Sequence, residues 1–114
     1  MSDCLFCKII KGDIPSEKVF ENENIFGFKD ISALAKKHYL FIHKQHTKNI
    51  NEMTSTQPEQ LKDVFSAIHE FTNNAQLEKD GFRIVTNVNA NGGQTIFHTH
   101  FHVLGGEQLR GFGA

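Results

Sequence analysis

Thr95-Ile96-Phe97-His98-Thr99-His100-Phe101-His102-Val103-Leu104 is the stretch from which the fold of this chain is read. Side chains alternate faces along a strand, so His98, His100 and His102 project from one face and Thr99 and Phe101 from the other. Two residues of strand rise is ~6.6–6.8 Å, which makes neighbouring imidazoles adjacent without collision. Three titratable rings on one face, leading into apolar Val103-Leu104, are costly unless that face opens onto a ligand or a metal. The expected strand runs from Thr95 to Leu104 and is ended by Gly105-Gly106.

The flanking segments complete an α+β pattern. Upstream, Phe82–Val88 reads as a strand and Asn89-Ala90-Asn91-Gly92-Gly93 as a turn-rich loop. Before Gly81, Leu61, Val64, Phe65, Ile68, Thr72 and Ala75 recur at steps of three and four, the period of an amphipathic helix. Thr56 and Glu59 have capping-box spacing, with Pro58 in the first turn. His38–His43 is an almost continuous apolar and aromatic run that suits a strand buried on both faces. Lys18–Glu21 and Ile25–Phe28 read as short strands about the turn Asn22-Glu23-Asn24, and Leu5–Ile10 as a short helix closed by Gly12. The expected fold is a five-stranded, mainly antiparallel sheet with one long and one short helix, in a single domain over 1–114 with a loosely ordered C-terminus.

Composition narrows the function classes. The hydrophobic fraction is 39%, the charged fraction 22% and the net charge −1, with no basic stripe of the kind that coats nucleic-acid polymers. No apolar stretch reaches the ~18–20 residues of a membrane span, and Met1-Ser2-Asp3-Cys4 lacks a secretory pattern, so a cytoplasmic location is expected. In that setting a structural disulfide between Cys4 and Cys7 is not expected.

Two chemistries suit the histidine row. A neutral imidazole can attack phosphorus while a second histidine protonates the leaving group, and histidine titrates near neutrality at about 6.5. Alternatively, His-x-His on a strand can chelate a metal. The turn Asn91-Gly92-Gly93-Gln94-Thr95 directly before the row favours phosphate, because glycine lets backbone amides approach an anion, with Gln94 and Thr95 adding side-chain donors.

With these residues in view, the chain resembles the histidine-triad (HIT) family of nucleotide hydrolases and transferases, over about residues 4 to 106. The alternation His98 to Leu104 carries the resemblance, with Thr99 a mild departure from an apolar position. Leu5–Ile10 with Ile14-Pro15, Phe28-Lys29-Asp30-Ile31-Ser32, and Val103-Leu104-Gly105-Gly106 are typical of its Hint branch. The resemblance implies a HIT-like fold, a purine nucleotide substrate, a homodimer and cleavage at the α-phosphorus through a nucleotidyl-histidine. It makes His100 the nucleophile, with His102 on the phosphate and leaving group and His38 supporting the triad by hydrogen bonding. Asn87, Gly93 and Thr95 would line the phosphate, Asp30 would hold the ribose hydroxyls, and Phe6, Ile9, Phe28 and Ile31 would pack around the nucleoside. No catalytic metal is expected. Lys36-Lys37 and His43 depart from the family pattern, where Pro-Thr and Pro are common.

Cys4-x-x-Cys7 follows too few residues to sit after a buried strand as a thioredoxin-like motif would, but it has the spacing of half a zinc site. The family resemblance supplies the other half, His46 and His98, as a structural zinc site; two reduced cysteines packed near the surface are the alternative. His69 falls on the polar side of the long helix and reads as solvated. A dinucleoside polyphosphate hydrolase, a metal-dependent hydrolase using all three histidines, and a zinc-stabilised nucleotide-binding module with little turnover remain competing readings.

Overall fold

In the computed structural model, which describes residues 3–111, the histidine segment enters the interior of a five-stranded sheet. The elements are α1 (Leu5–Lys11), β1 (Lys18–Glu21), β2 (Ile25–Lys29), β3 (Lys37–His43), α2 (Ile50–Thr56), α3 (Glu59–Asn74), β4 (Phe82–Val85) and β5 (His100–Gly105). The strand order is β1-β2-β3-β5-β4 and every pairing is antiparallel. The α+β, mainly antiparallel expectation therefore holds. Residues 112–114, expected to be loosely ordered, lie outside the described residues.

Register sorts the side chains into two faces. Leu40 pairs with His102, Ile42 with His100 and His38 with Leu104, so these residues share one face. Tyr39, Phe41, Phe101 and Val103 share the other, where they pack with Val64, Ala67 and Ile68 of α3 and Met53 of α2 into the larger core. On the histidine face, α1 covers only one end: Phe6 and Ile9 pack onto Phe26, Phe28, Leu40 and Ile42. Beside α1 the face borders a cavity lined by His100 and His102.

Helix α1 is capped at both ends. Cys4 Sγ accepts the Cys7 N–H at 3.3 Å, and Gly12 closes the helix with φ +86°, a conformation that favours glycine. A separate α2, not expected from the sequence, precedes the long helix. Asn49 caps it by accepting from Glu52 N–H at 3.0 Å, and the Glu52 carboxylate takes the Lys48 N–H. Asn49 and Glu52 have the spacing of a capping pair, a signal present in the sequence but unused. Because Thr56 is the last residue of α2 and its hydroxyl turns back to the Glu52 carbonyl, it does not cap α3, which starts after Pro58 with no side-chain cap. The helix buries Val64, Ala67, Ile68 and Thr72 as its period implies, while Ala75 is exposed and Phe65 sits at the edge of the stripe over Phe101.

Two strands are shorter than expected. The chain before His100 is drawn towards the end of β3: Thr99 N–H donates to Thr47 C=O at 2.8 Å, and its hydroxyl lies 2.6 Å from that of Thr47. Strand β5 therefore begins at His100 rather than Thr95, and β4 ends at Val85, opposite His102, where a strand to Val88 was expected. The Thr86 hydroxyl instead donates to His100 C=O at 2.8 Å.

Gly27 marks the tightest approach in the core, since a Cβ there would stand 2.9 Å from Cε2 and Cζ of fully buried Phe41. Gly27→Ala is expected to cost about 1–3 kcal/mol by overpacking. It should lower the urea midpoint with an unchanged slope. An unshifted midpoint would show that Phe41 can move aside.

Candidate functional site

Each histidine of the row has partners that fix its tautomer. Nδ1 of His100 lies 2.7 Å from the His98 carbonyl. A carbonyl only accepts, so Nδ1 carries the hydrogen and Nε2 keeps its lone pair. His102 has the opposite arrangement. Leu34 N–H donates to His38 Nδ1 at 3.0 Å, which leaves the His38 proton on Nε2. That proton is donated to His102 Nδ1 at 2.9 Å, and the proton of neutral His102 is consequently on Nε2. Two neighbouring rings, 5.3 Å apart by centroid, thus differ: one has a lone pair available and the other an N–H.

Burial keeps these rings neutral. Desolvation lowers the pKa of His100 and His38 below the usual 6.5, and burial with neighbouring His100 and His38 lowers His102 to about 4. Asp30 Oδ2 lies 3.4 Å from His38 Nε2 and opposes that shift, while Asp30 Oδ1 accepts the Ser32 N–H at 2.8 Å.

His100 and His102 stand at one end of a cavity of about 420 Å³. Phe6 and Ile9 of α1, Phe28 of β2 and Leu40 of β3 form its apolar walls, and Asp30, Ile31 and Thr95 also line it. Ile31 is fully exposed, so it forms rim rather than wall. Phe6 stands edge-on to Phe28 and to His100, with centroids 5.5 and 5.0 Å away. Leu40 and Ile96 were missed from sequence, although Leu40 follows from two-residue alternation after His38. A roomier cleft of about 660 Å³ near Leu77 and Phe82 is lined by neither histidine nor cysteine. Volume alone does not mark the reactive end.

The turn before the row is organised for structure as much as for ligand. Gln94 is buried, its Oε1 accepting the Asn89 N–H and its Nε2 donating to the Lys48 and Ile96 carbonyls. Its side chain has no donor left for a phosphate. Asn87 Nδ2 donates to Gly92 C=O at 2.7 Å, and Gly93 adopts φ +82°. Asn87, Gly93 and Gln94 are outside the cavity lining, while Thr95 is within it.

His98 is turned towards sulfur. Its Nε2–H donates to His43 C=O at 2.9 Å, which directs the Nδ1 lone pair to Cys4 Sγ at 3.3 Å and Cys7 Sγ at 3.6 Å. His46 Nδ1 lies 3.5 Å from Cys7 Sγ. Zn–S of about 2.3 Å and Zn–N of about 2.0–2.1 Å give a tetrahedral S···N edge of about 3.5 Å. Three sulfur–nitrogen separations therefore already match a tetrahedral ion, and all four ligand atoms lie within 4.8 Å of one another. Burial holds the imidazoles neutral, His98 at about 4, as ligands must be; burial and the adjacent Cys4 push the Cys7 thiol up to about 11. His43, where the family commonly has Pro, is buried and lies 3.0 Å from Asp63; His69 is exposed.

The HIT-domain family profile matches residues 11–109. Purine nucleoside phosphoramidase of Escherichia coli is 31% identical over 107 residues, covering 94% of this chain and 90% of that protein. An uncharacterised HIT-like protein of Rickettsia prowazekii is 39% identical over 108 residues, with 94% and 90% covered. Among solved structures, a HIT family hydrolase from Clostridium thermocellum superposes with TM-score 0.92 at 35% identity, covering 98% of this chain and 97% of that one. A histidine triad protein from Clostridium difficile gives 0.94 at 30% identity, with the same coverage.

The low pKa values carry a stability consequence. The unfolded chain takes up protons at His98 and His102 from about pH 6.5 downward, whereas the folded chain resists until about 4. Their contribution is complete above 6.5 and is lost as pH falls through that window. The thermal midpoint, measured with a chelator present, should drop steadily from pH 6.5 to 4. A flat midpoint would contradict neutral, buried rings.

Proposed function

The chain belongs to the HIT-domain family, and on that footing we propose that it is a hydrolase of nucleotides, a purine nucleoside phosphoramidase. The observation that carries this reading is the pair of opposite tautomers, His100 with a bare Nε2 and His102 with a protonated one, at the end of an apolar cavity. A nucleophile and a hydrogen-bond donor for the leaving nitrogen are thereby set side by side before substrate binds.

In the proposed reaction the base and ribose enter between Phe6, Ile9, Phe28 and Leu40, with Asp30 on the ribose hydroxyls. The His100 Nε2 lone pair attacks the α-phosphorus. The phosphorus–nitrogen bond breaks with His102 Nε2–H hydrogen-bonded to the departing nitrogen, which takes its proton from water. The hydroxide left by that transfer attacks the phosphorus of the nucleotidyl-His100, and the bond between phosphorus and His100 Nε2 breaks. Nucleoside monophosphate leaves, and both histidines return to their starting states. His38 acts through His102 by holding its Nδ1 as an acceptor. No step requires a metal.

Structural zinc on Cys4, Cys7, His46 and His98 belongs to the same proposal, supported by the spacing of the four side chains. Bound there, zinc would staple α1 to the end of β3 and to the histidine segment. The proposed assembly is a cytoplasmic homodimer; the edge position of β4 and the 43% exposure of Phe65 offer it a surface.

His100→Ala should lower kcat/KM for an adenosine phosphoramidate by on the order of a thousandfold or more. Acid-quenched wild-type protein should carry a nucleotidyl adduct on His100 by mass spectrometry. Turnover near wild type in the variant would refute the assignment, and faster cleavage of diadenosine tetraphosphate than of any phosphoramidate would change the substrate class. Because burial holds His100 below 6.5, kcat/KM should stay level from neutrality to that pH and fall only on further acidification. For the metal, protein purified without chelator should contain near-stoichiometric zinc, and Cys4→Ser with Cys7→Ser should remove it. Zinc-free wild-type protein would dismiss the site.

A further inference from the structure

The direction of the His100 lone pair is inherited from one peptide group. His100 Nδ1–H donates to the His98 carbonyl at 2.7 Å. Nε2 belongs to the same rigid ring, so turning that carbonyl re-aims the atom that attacks phosphorus. The His98–Thr99 peptide is planar and trans, and its C=O and N–H therefore point in opposite directions. On the side away from His100, the Thr99 N–H donates to Thr47 C=O at 2.8 Å. One peptide plane is thus held from both sides, by the nucleophile and by Thr47.

Two threonine hydroxyls lock this contact. Thr99 Oγ1 lies 3.1 Å from Thr47 C=O and 2.6 Å from Thr47 Oγ1. A carbonyl only accepts, so the Thr99 hydroxyl gives it its one hydrogen and accepts the hydrogen of the Thr47 hydroxyl. Thr47 C=O then receives two donors from one residue, which fixes Thr99 in rotation as well as in distance. Both threonines are buried and neither lines the cavity, so neither hydroxyl serves as a ligand contact. Buried hydroxyls are costly unless satisfied. Valine at both positions would have the same shape and nearly the same stability. What it would lack is the directed contact.

We propose that Thr47 and Thr99 are positioning residues for the nucleophile. Their paired hydroxyls hold the His98–Thr99 peptide so that the His98 carbonyl aims His100 Nε2 at phosphorus. The inference rests on the phosphoramidase reading above, with His100 as the attacking group. The pair touches no reacting atom and acts through the carbonyl alone. It speeds attack without changing how the nucleoside binds, because the cavity walls come from Phe6, Ile9, Phe28 and Leu40 on other elements.

A valine series assayed with an adenosine phosphoramidate tests this. Thr99→Val and Thr47→Val each leave the other hydroxyl short of its partner, and should lower both the urea midpoint and kcat. The Thr47→Val/Thr99→Val double variant leaves no hydroxyl unpaired. It should recover most of the midpoint while kcat stays roughly tenfold below wild type at unchanged KM. Thr99→Ser keeps the hydroxyl and should restore most of the turnover that Thr99→Val loses. By NMR, the His100 Nδ1–H should exchange with water several-fold faster in the double variant than in wild type. Thr72→Val removes a buried hydroxyl of α3, on the other side of the sheet; it should lower the midpoint and leave kcat alone. Wild-type kcat in the double variant overturns the clamp, as does a loss carried by KM. Thr47 and Thr99 adjoin His46 and His98, so zinc content is measured on every sample. A kcat loss that follows lost zinc, with the Nδ1–H exchange rate unchanged, assigns the effect to the metal and overturns the clamp too. Wild-type protein that cleaves no phosphoramidate and forms no adduct removes the parent reading, and this inference with it.

Discussion

The site depends on one hydrogen bond, from His100 Nδ1 to the carbonyl of His98, 2.7 Å long. The orienting group is a neutral backbone oxygen, which makes it different in kind from the carboxylate that orients a general-base histidine. A carboxylate stabilises the imidazolium and so favours proton uptake. A carbonyl fixes the tautomer with far less pull towards the charged form, and burial supplies the opposite push. An imidazole held that way is suited to attack through its lone pair. The carbonyl itself is immobilised: the His98 ring is tied to His43, and the next residue, Thr99, is tied to Thr47 through both amide and hydroxyl.

The same constraint explains the break in the histidine strand. If residues 95–104 formed one continuous strand, all three rings would face the cavity equally. Drawing residue 99 to Thr47 starts the ladder at His100 and leaves His98 free to turn its Nδ1 to the cysteines. Alternation survives the break, because Thr99 and Phe101 still point away from His100. One sequence pattern therefore serves two environments, sulfur at one end and cavity at the other. Both are joined to α1, which is too short to stand alone. It is held by Phe6 and Ile9, by the Cys4 cap and by Gly12, so the wall of the nucleoside cavity and the cysteine pair are one piece of structure.

Legibility in the sequence followed the kind of force at work. The sheet, the long helix and the face shared by His100 and His102 were readable because they rest on burial with a regular period. The cysteine and histidine partners came from family resemblance, and their convergence on the sulfur side is a long-range fact that no local pattern states. Helix α2 was missed because its evidence is a cap, Asn49 with Glu52, rather than an apolar stripe; only Met53 is buried in it. Gln94 looked like a phosphate donor in a glycine turn, yet its amide is consumed by Asn89, Lys48 and Ile96. Residue type announces a capacity for hydrogen bonding, and the fold decides where that capacity is used.

The ordering of chemistry along the histidine face follows from which parts of it the protein covers. Where α1 meets Phe28 and Leu40, the face is apolar and walls the cavity. At His100 and His102 cover ends, and the surface changes to rings whose protons are assigned by their neighbours. Beyond them, Leu104 and Arg83 continue the face into a region of mixed apolar and cationic character. The lone pair of His100 Nε2 and the N–H of His102 stand together at the boundary between the first two zones. Strand direction, fixed by the antiparallel pairing of β5 with β3 and β4, thus sets the order of these zones as firmly as the identity of the histidines sets their chemistry.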